Sequence, residues 1–254
     1  RWARPSIGIL AAFALFTATQ AWAAERYHAA RRDAQSGGVA ARVVNQYFGL
    51  PEVPWPSTIS TYRTASATDD FHAAPIRVVE YFDPLCSDCQ YLHEQMSRLK
   101  EEFAGQLNVA FQFFPLEAKC NDVVDKDKHP GACELSYIAA HDPEQFPAII
   151  DEVFANFEAA KTPEWRQDLA RRYGVEAATT DSATIAEVAR QIATGAEYDR
   201  TSAEYDHGVR STPTMIINNR MVIGTFPYEQ LRAIFQALVD EAEGEGRFME
   251  NWVD

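Results

Sequence analysis

The sequence predicts an α/β fold interrupted by a block of helices, on three observations. A β-branched, aromatic-rich run, Ile76 to Phe82 (IRVVEYF), is followed by an amphipathic helix and then by a second such run, Asn108 to Phe114 (NVAFQFF). From Glu134 to about Tyr205 the apolar residues recur only at helical spacing. After that block two short apolar runs, Thr214 to Ile217 and Met221 to Ile223, flank an Asn-Asn pair.

Each element has its own reason. Ile76 to Phe82 is apolar on both faces, which suits a strand covered on each side, and Pro84 ends it. Cys89, Leu92, Met96, Leu99 and Phe103 form one helical stripe, stopped by Gly105. Strand, helix, strand implies a parallel pair with a right-handed crossover. Within the helical block, Phe146, Ile149, Ile150, Val153 and Phe157 make one stripe. Trp165, Leu169 and Tyr173 make a second. Ile185, Val188 and Ile192 make a third, with Asp181 or Ser182 as N-cap. Asn218 and Asn219 tolerate the left-handed conformations of a tight hairpin. Pro227 marks the start of a last helix with Leu231, Ile234, Phe235 and Leu238 inward.

The N-terminus speaks to compartment. Ile7 to Ala23 carries no charge, follows Arg1 and Arg4, and ends in Ala21-Trp22-Ala23, a signal-peptidase pattern. A cleaved signal, a membrane anchor and the last helix of a membrane domain are all consistent with it, and each can place the remaining chain outside the cytoplasm. The expected organisation is a signal or anchor over 1–24, a tether and irregular segment over 25–75, the main domain over 76–243 with its helical insertion over about 134–205, and a tail over 244–254. Within 25–75, Tyr27 to Arg42 reads as tether and Val43 to Asp70, broken by prolines, as irregular or an edge element. A formal net charge of -14 argues against a nucleic-acid partner, which needs clustered Lys and Arg.

The chain has four cysteines, Cys86, Cys89, Cys120 and Cys133. Cys86 and Cys89 would fall on the first turn of the helix after Pro84. There, unpaired N–H groups and the positive end of the helix dipole lower a thiol pKa. The thiolate is the nucleophile of disulfide exchange, so Cys86 would attack and Cys89 resolve. A structural disulfide is the first competing reading. Half of a zinc site is the second, completed by Cys120 and Cys133 or by His93 and His129. The strand-then-helix context favours redox chemistry. Thr212-Pro213-Thr214 stands directly before a strand, where proline is unusual; a trans loop proline and a cis bond are both open. The six histidines are scattered, none beside a plausible acid, and surface or loop positions are the expectation for them.

VVEYFDPLCSDCQYLHEQ, followed far downstream by HGVRSTPTMIINNRMVIG, resembles the thioredoxin superfamily, and within it the DsbA-like branch. The resemblance spans about Ile76 to Asp240. It implies a thioredoxin fold with an inserted helical subdomain and a protein thiol–disulfide oxidoreductase that needs no cofactor or metal. It implies a cis bond before Pro213, with Thr212 and Pro213 opposite the dithiol to bind a substrate strand. It also gives meaning to Glu80, an acid within an apolar strand, where the family carries a buried general base for Cys89; an acid reaching water is the plain alternative. The run PLEAKCN…HPGACE resembles thioredoxin-like proteins fused to, or working with, vitamin K epoxide reductase homologues. That likeness implies a structural Cys120–Cys133 disulfide, a relay pair being the competing idea. It also implies a membrane quinone-linked partner that reoxidises the protein, with exported cysteine-containing polypeptides as substrates. Ser87 and Asp88 would tune the potential. The Asp88 charge would raise the Cys86 pKa and weaken the protein as an oxidant, unless the side chain points to solvent. A reductase, an isomerase and a non-catalytic binding or chaperone module of the same fold are the alternatives.

Overall fold

The computed structural model describes residues 37–198 and 208–244, so the N-terminal apolar run, the end of the helical block and most of the C-terminal tail lie outside the described residues. Five strands form one mixed sheet in the order β1-β3-β2-β4-β5. They are β1 (Arg63–Ser66), β2 (Ile76–Phe82), β3 (Leu107–Phe113), β4 (Thr214–Ile217) and β5 (Arg220–Ile223). β2 is central. It runs parallel to β3, with Ile76 opposite Leu107, and antiparallel to β4, with Glu80 opposite Met215. Six of its seven residues are buried, as a strand covered on both faces requires.

Residues 37–48 form helix α1, where the sequence predicted a tether ending at Arg42 and an irregular segment after it. The reason is tertiary: Val43, Val44 and Tyr47 are buried on one face, and the Tyr47 hydroxyl donates to the Ile217 carbonyl at 2.8 Å. Three apolar positions in a polar stretch were too weak a periodic signal, and packing on the hairpin stabilises the helix. The edge element is β1, which lies antiparallel to β3.

α2 (Ser87–Glu102) follows β2 after a single tight turn, and the stripe Cys89, Leu92, Met96, Leu99 and Phe103 is buried. α8 (Tyr228–Ala242) packs beside it, with the Phe103 and Phe235 rings 5.7 Å apart. The inserted helices are α3 (Ala132–Ala140), α4 (Phe146–Ala155), α5 (Phe157–Ala160), α6 (Pro163–Tyr173) and α7 (Ser182–Ala196). Phe157, read as part of the α4 stripe, starts α5 instead, because Asn156 breaks the helix between them. α4 docks through Phe146, whose ring lies 5.3 Å from Phe111 and 5.8 Å from Phe113. α7 begins at Asp181, which accepts from the Thr184 amide, and meets the sheet where Thr194 Oγ1 lies 2.9 Å from the Tyr81 hydroxyl. Asn218 and Asn219 have φ of 38° and 66°, the left-handed pair a two-residue hairpin needs.

Cys120 and Cys133 are joined by a disulfide. It closes the segment that leads into α3. The buried Glu117 carboxylate accepts from the Gly131 and Cys133 amides at 3.1 and 2.7 Å, satisfying the start of that helix. Gly131 has φ of 99°, and a Cβ there would lie 2.6 Å from the Arg166 guanidinium, so only glycine fits. Cys120→Ala/Cys133→Ala is expected to lower unfolding stability by about 3 kcal/mol, the chain-entropy value for a loop of this size. Denaturant titration of the double variant measures this; an unchanged midpoint contradicts it.

Candidate active site

β2 and the turn after it deliver the dithiol. Asp83 is fully buried, and its Oδ1 accepts from the Leu85 amide at 2.6 Å while its main-chain carbonyl accepts from the Cys86 amide at 3.1 Å. Cys86 is therefore the N-cap of α2, with β-region backbone, and Cys89 lies one turn further in. Both are free thiols, Cys86 at 6% exposure and Cys89 at 0%.

The two thiols are driven apart in acidity. The Cys86 pKa is lowered to about 6. The Cys89 thiol hydrogen bond is the largest cause, burial opposes it, and the backbone N–H groups of Cys89 and Asp88 add to it. The Cys89 pKa is pushed well above its ordinary value, first by burial, then by its bond to Cys86 and the nearby charges of Cys86 and Glu80. Thr212 comes from the far side: its peptide to Pro213 is cis, and its carbonyl oxygen accepts from the Cys86 thiol at 3.3 Å. Thr214 continues from there into β4, which pairs with β2. Two segments 126 residues apart thus meet at one sulfur.

Glu80 lies on β2 behind the dithiol, 2% exposed, and its Oε2 has no hydrogen-bond partner within the protein. Burial raises its pKa to about 8, with the Cys86 charge adding and Lys100 opposing. The strand-end alternative, an acid reaching water, does not hold. Ser87 and Asp88 are both exposed. The Cys86 pKa falls in spite of the Asp88 charge, because that side chain faces solvent while its backbone N–H helps hold the thiolate.

Three of the histidines meet acids that the sequence did not signal; His141 lies 3.9 Å from Asp181, and two pairs are closer. His129 Nδ1 lies 2.8 Å from Asp83 Oδ2, which also accepts from the Leu116 amide at 2.6 Å. That bond raises the His129 pKa against partial burial, and the Asp83 and Cys86 charges raise it further. His93 is buried in α2, 2.8 Å from Asp151 of α4, and burial lowers its pKa. Both pairs join residues far apart in the chain, so no local spacing signals them. Asp83 carries the one available hint: it sits at the end of an apolar strand, where a buried carboxylate needs partners. The zinc ligand sets are not assembled, since Cys120 is bonded to Cys133 and His93 to Asp151. Among the described residues no group of three or more His, Cys, Asp or Glu side chains is placed to hold a metal.

A mixed sheet with an inserted helical block, and a dithiol with opposed thiol acidities at a strand-to-helix turn facing a cis-proline loop, define a thiol–disulfide oxidoreductase. The thioredoxin family model matches residues 72–237, and the chain belongs to that family. Its fold is DsbA-like. α-DsbA1 of Wolbachia pipientis superposes with a TM-score of 0.56 at 14% identity, covering 76% of this chain and 96% of that one. BdbD of Bacillus subtilis gives 0.54 at 16% identity, over 74% and 98%. ScsC of Proteus mirabilis gives 0.53 at 13% identity, over 94% and 98%. No curated protein sequence matches the chain.

The buried acid makes a stability prediction. The folded pKa of Glu80 is raised from 4.5 to about 8, so folding is favoured while the group is neutral and loses that advantage as pH rises from below 4.5 through about 8. Glu80→Gln is expected to change stability little near pH 4 and to raise it by ~2–4 kcal/mol near pH 8. Thermal or denaturant unfolding across that pH range measures it; a difference independent of pH contradicts the buried neutral acid.

Proposed function

We propose that the protein is a disulfide-forming oxidase that acts on exported polypeptides. In this reading a substrate thiolate attacks Cys86 Sγ of the Cys86–Cys89 disulfide, and Cys89 leaves as a thiolate. Glu80, still protonated at neutral pH, supplies the proton that the high-pKa Cys89 takes up. A second substrate thiolate then attacks its partner sulfur in the mixed disulfide and releases the Cys86 thiolate. The substrate is oxidised by two electrons and the dithiol is reduced. Thr212 offers backbone groups to the substrate segment beside the sulfur, and Pro213 sets its geometry.

The observation that carries thiol–disulfide exchange, in either direction, is the lowered Cys86 pKa. A stable thiolate favours the reduced form of the enzyme, so its disulfide is readily passed on. Export is supported by the uncharged run at Ile7 to Ala23 and by the Cys120–Cys133 bridge, which suits an oxidising compartment. No helix among the described residues is long and apolar enough to cross a membrane. Reoxidation falls to a membrane quinone-linked protein of the vitamin K epoxide reductase type, in keeping with the sequence likeness around Cys120 and Cys133. The same pKa also supports a second reading. A value of about 6 is close to the ~7 of thioredoxin and well above the ~3.5 of a strong oxidant, as a reductase or isomerase would have.

Equilibration with glutathione decides between them. An oxidase is expected to have a potential more positive than about -180 mV, the value of a disulfide isomerase. A potential at or below about -270 mV, that of thioredoxin, would establish the reductase instead.

A further inference from the structure

A cleft of about 440 Å³ opens directly beside the dithiol. Leu85 and Ser87, the residues on either side of Cys86, form one wall; Lys128 and His129 form another; Phe157 and Lys161 close it. We propose that this cleft is a substrate subsite that receives an acidic side chain lying close in sequence to the substrate's reactive cysteine. The proposal rests on the thiol–disulfide exchange reading above and names the substrate feature that this site selects.

Three observations carry it. First, every ionisable side chain lining the cleft is basic, in a chain whose formal net charge is -14. A local cationic pocket in an acidic protein is where an anionic group gains most over the surrounding surface. Second, the site is built. His129 is anchored through Nδ1 to the fully buried Asp83 at 2.8 Å, and main-chain bonds from the Lys128 and His129 amides to the Leu116 carbonyl hold the segment at 2.9 and 3.2 Å. The Cys120–Cys133 disulfide closes the loop that carries both residues. Lys161 is held over the Phe157 ring, 4.6 Å from its centroid. Third, the place is right. Leu85 and Ser87 flank Cys86 in the chain and line the cleft, so a side chain near the substrate cysteine is within reach of it.

Nearby acids reduce the field without cancelling it. Glu158 pairs with Lys161 at 2.6 Å but is largely exposed, so water screens the pair. Asp83 pairs with His129 at 2.8 Å and offsets its charge, so the two lysines carry the selectivity. Asp88 is exposed one residue beyond Ser87. The Lys128 side chain is exposed and reaches solvent at the mouth of the cleft.

The test uses two cysteine peptides that differ only in Glu or Gln two residues from the cysteine. The rate of mixed-disulfide formation with the oxidised protein is measured at low and high salt. The Glu peptide is expected to react about fivefold faster at low salt, as two partly screened charge pairs allow. The preference should fade in high salt and disappear or invert in Lys128→Glu/Lys161→Glu, while the Gln peptide keeps its rate in that variant. Equal rates for the two peptides with the parent protein overturn the subsite and leave the exchange chemistry standing. No reaction with either peptide overturns the exchange reading and the subsite with it.

Discussion

The site depends on one hydrogen bond between two sulfurs. The Cys89 thiol, held in a fully buried position, donates to Cys86 and is the largest contribution to the lowered pKa there. The same bond raises the Cys89 pKa, since a thiol that donates to a thiolate resists losing its proton. The i, i+3 spacing on the first turn of α2 brings the two sulfurs together. The turn itself exists because Asp83 caps it from a buried position at the end of β2. The central strand, its register and the helix that follows all serve to hold this pair.

Around that bond, burial sorts the remaining groups by role. Cys86 touches solvent and tends toward its charged form; Cys89 and Glu80 are sealed in and tend toward their neutral forms. Pairs of groups pushed in opposite directions by their surroundings mark the donor and acceptor of a proton. A buried carboxyl with an unpartnered oxygen is costly to stability, and in the proposed chemistry it supplies the proton that a departing Cys89 thiolate takes up. Opposite it, the cis Thr212–Pro213 peptide brings a carbonyl to the Cys86 sulfur, the place where the proposed substrate segment would lie.

Much of this was legible in the chain. The bounds of β2 were readable to the residue because it is apolar on both faces and closed by a proline, and the α2 stripe was readable because five buried positions repeat on one face. Glu80 stood out as a charge inside an apolar strand. What escaped was tertiary. Helix α1 has only three buried residues in a polar stretch, and the face of β4 and β5 that stabilises it lies far along the chain. His129 meets Asp83 across 46 positions, a pairing that depends on where the loop folds rather than on any spacing. Asp88 could be weighed only once its direction was known, for its side chain faces solvent and what reaches Cys86 is its backbone N–H.

The most direct test of this account is the pH dependence of Cys86 alkylation in the reduced protein, with Cys86→Ser as the blank. A stabilised thiolate predicts a rate that rises through a midpoint near pH 6 and is flat by neutrality, with Cys89 silent throughout. A midpoint between about 8 and 9, the range of an ordinary cysteine, would contradict it, because the dithiol would then lack the nucleophile on which the proposed chemistry rests.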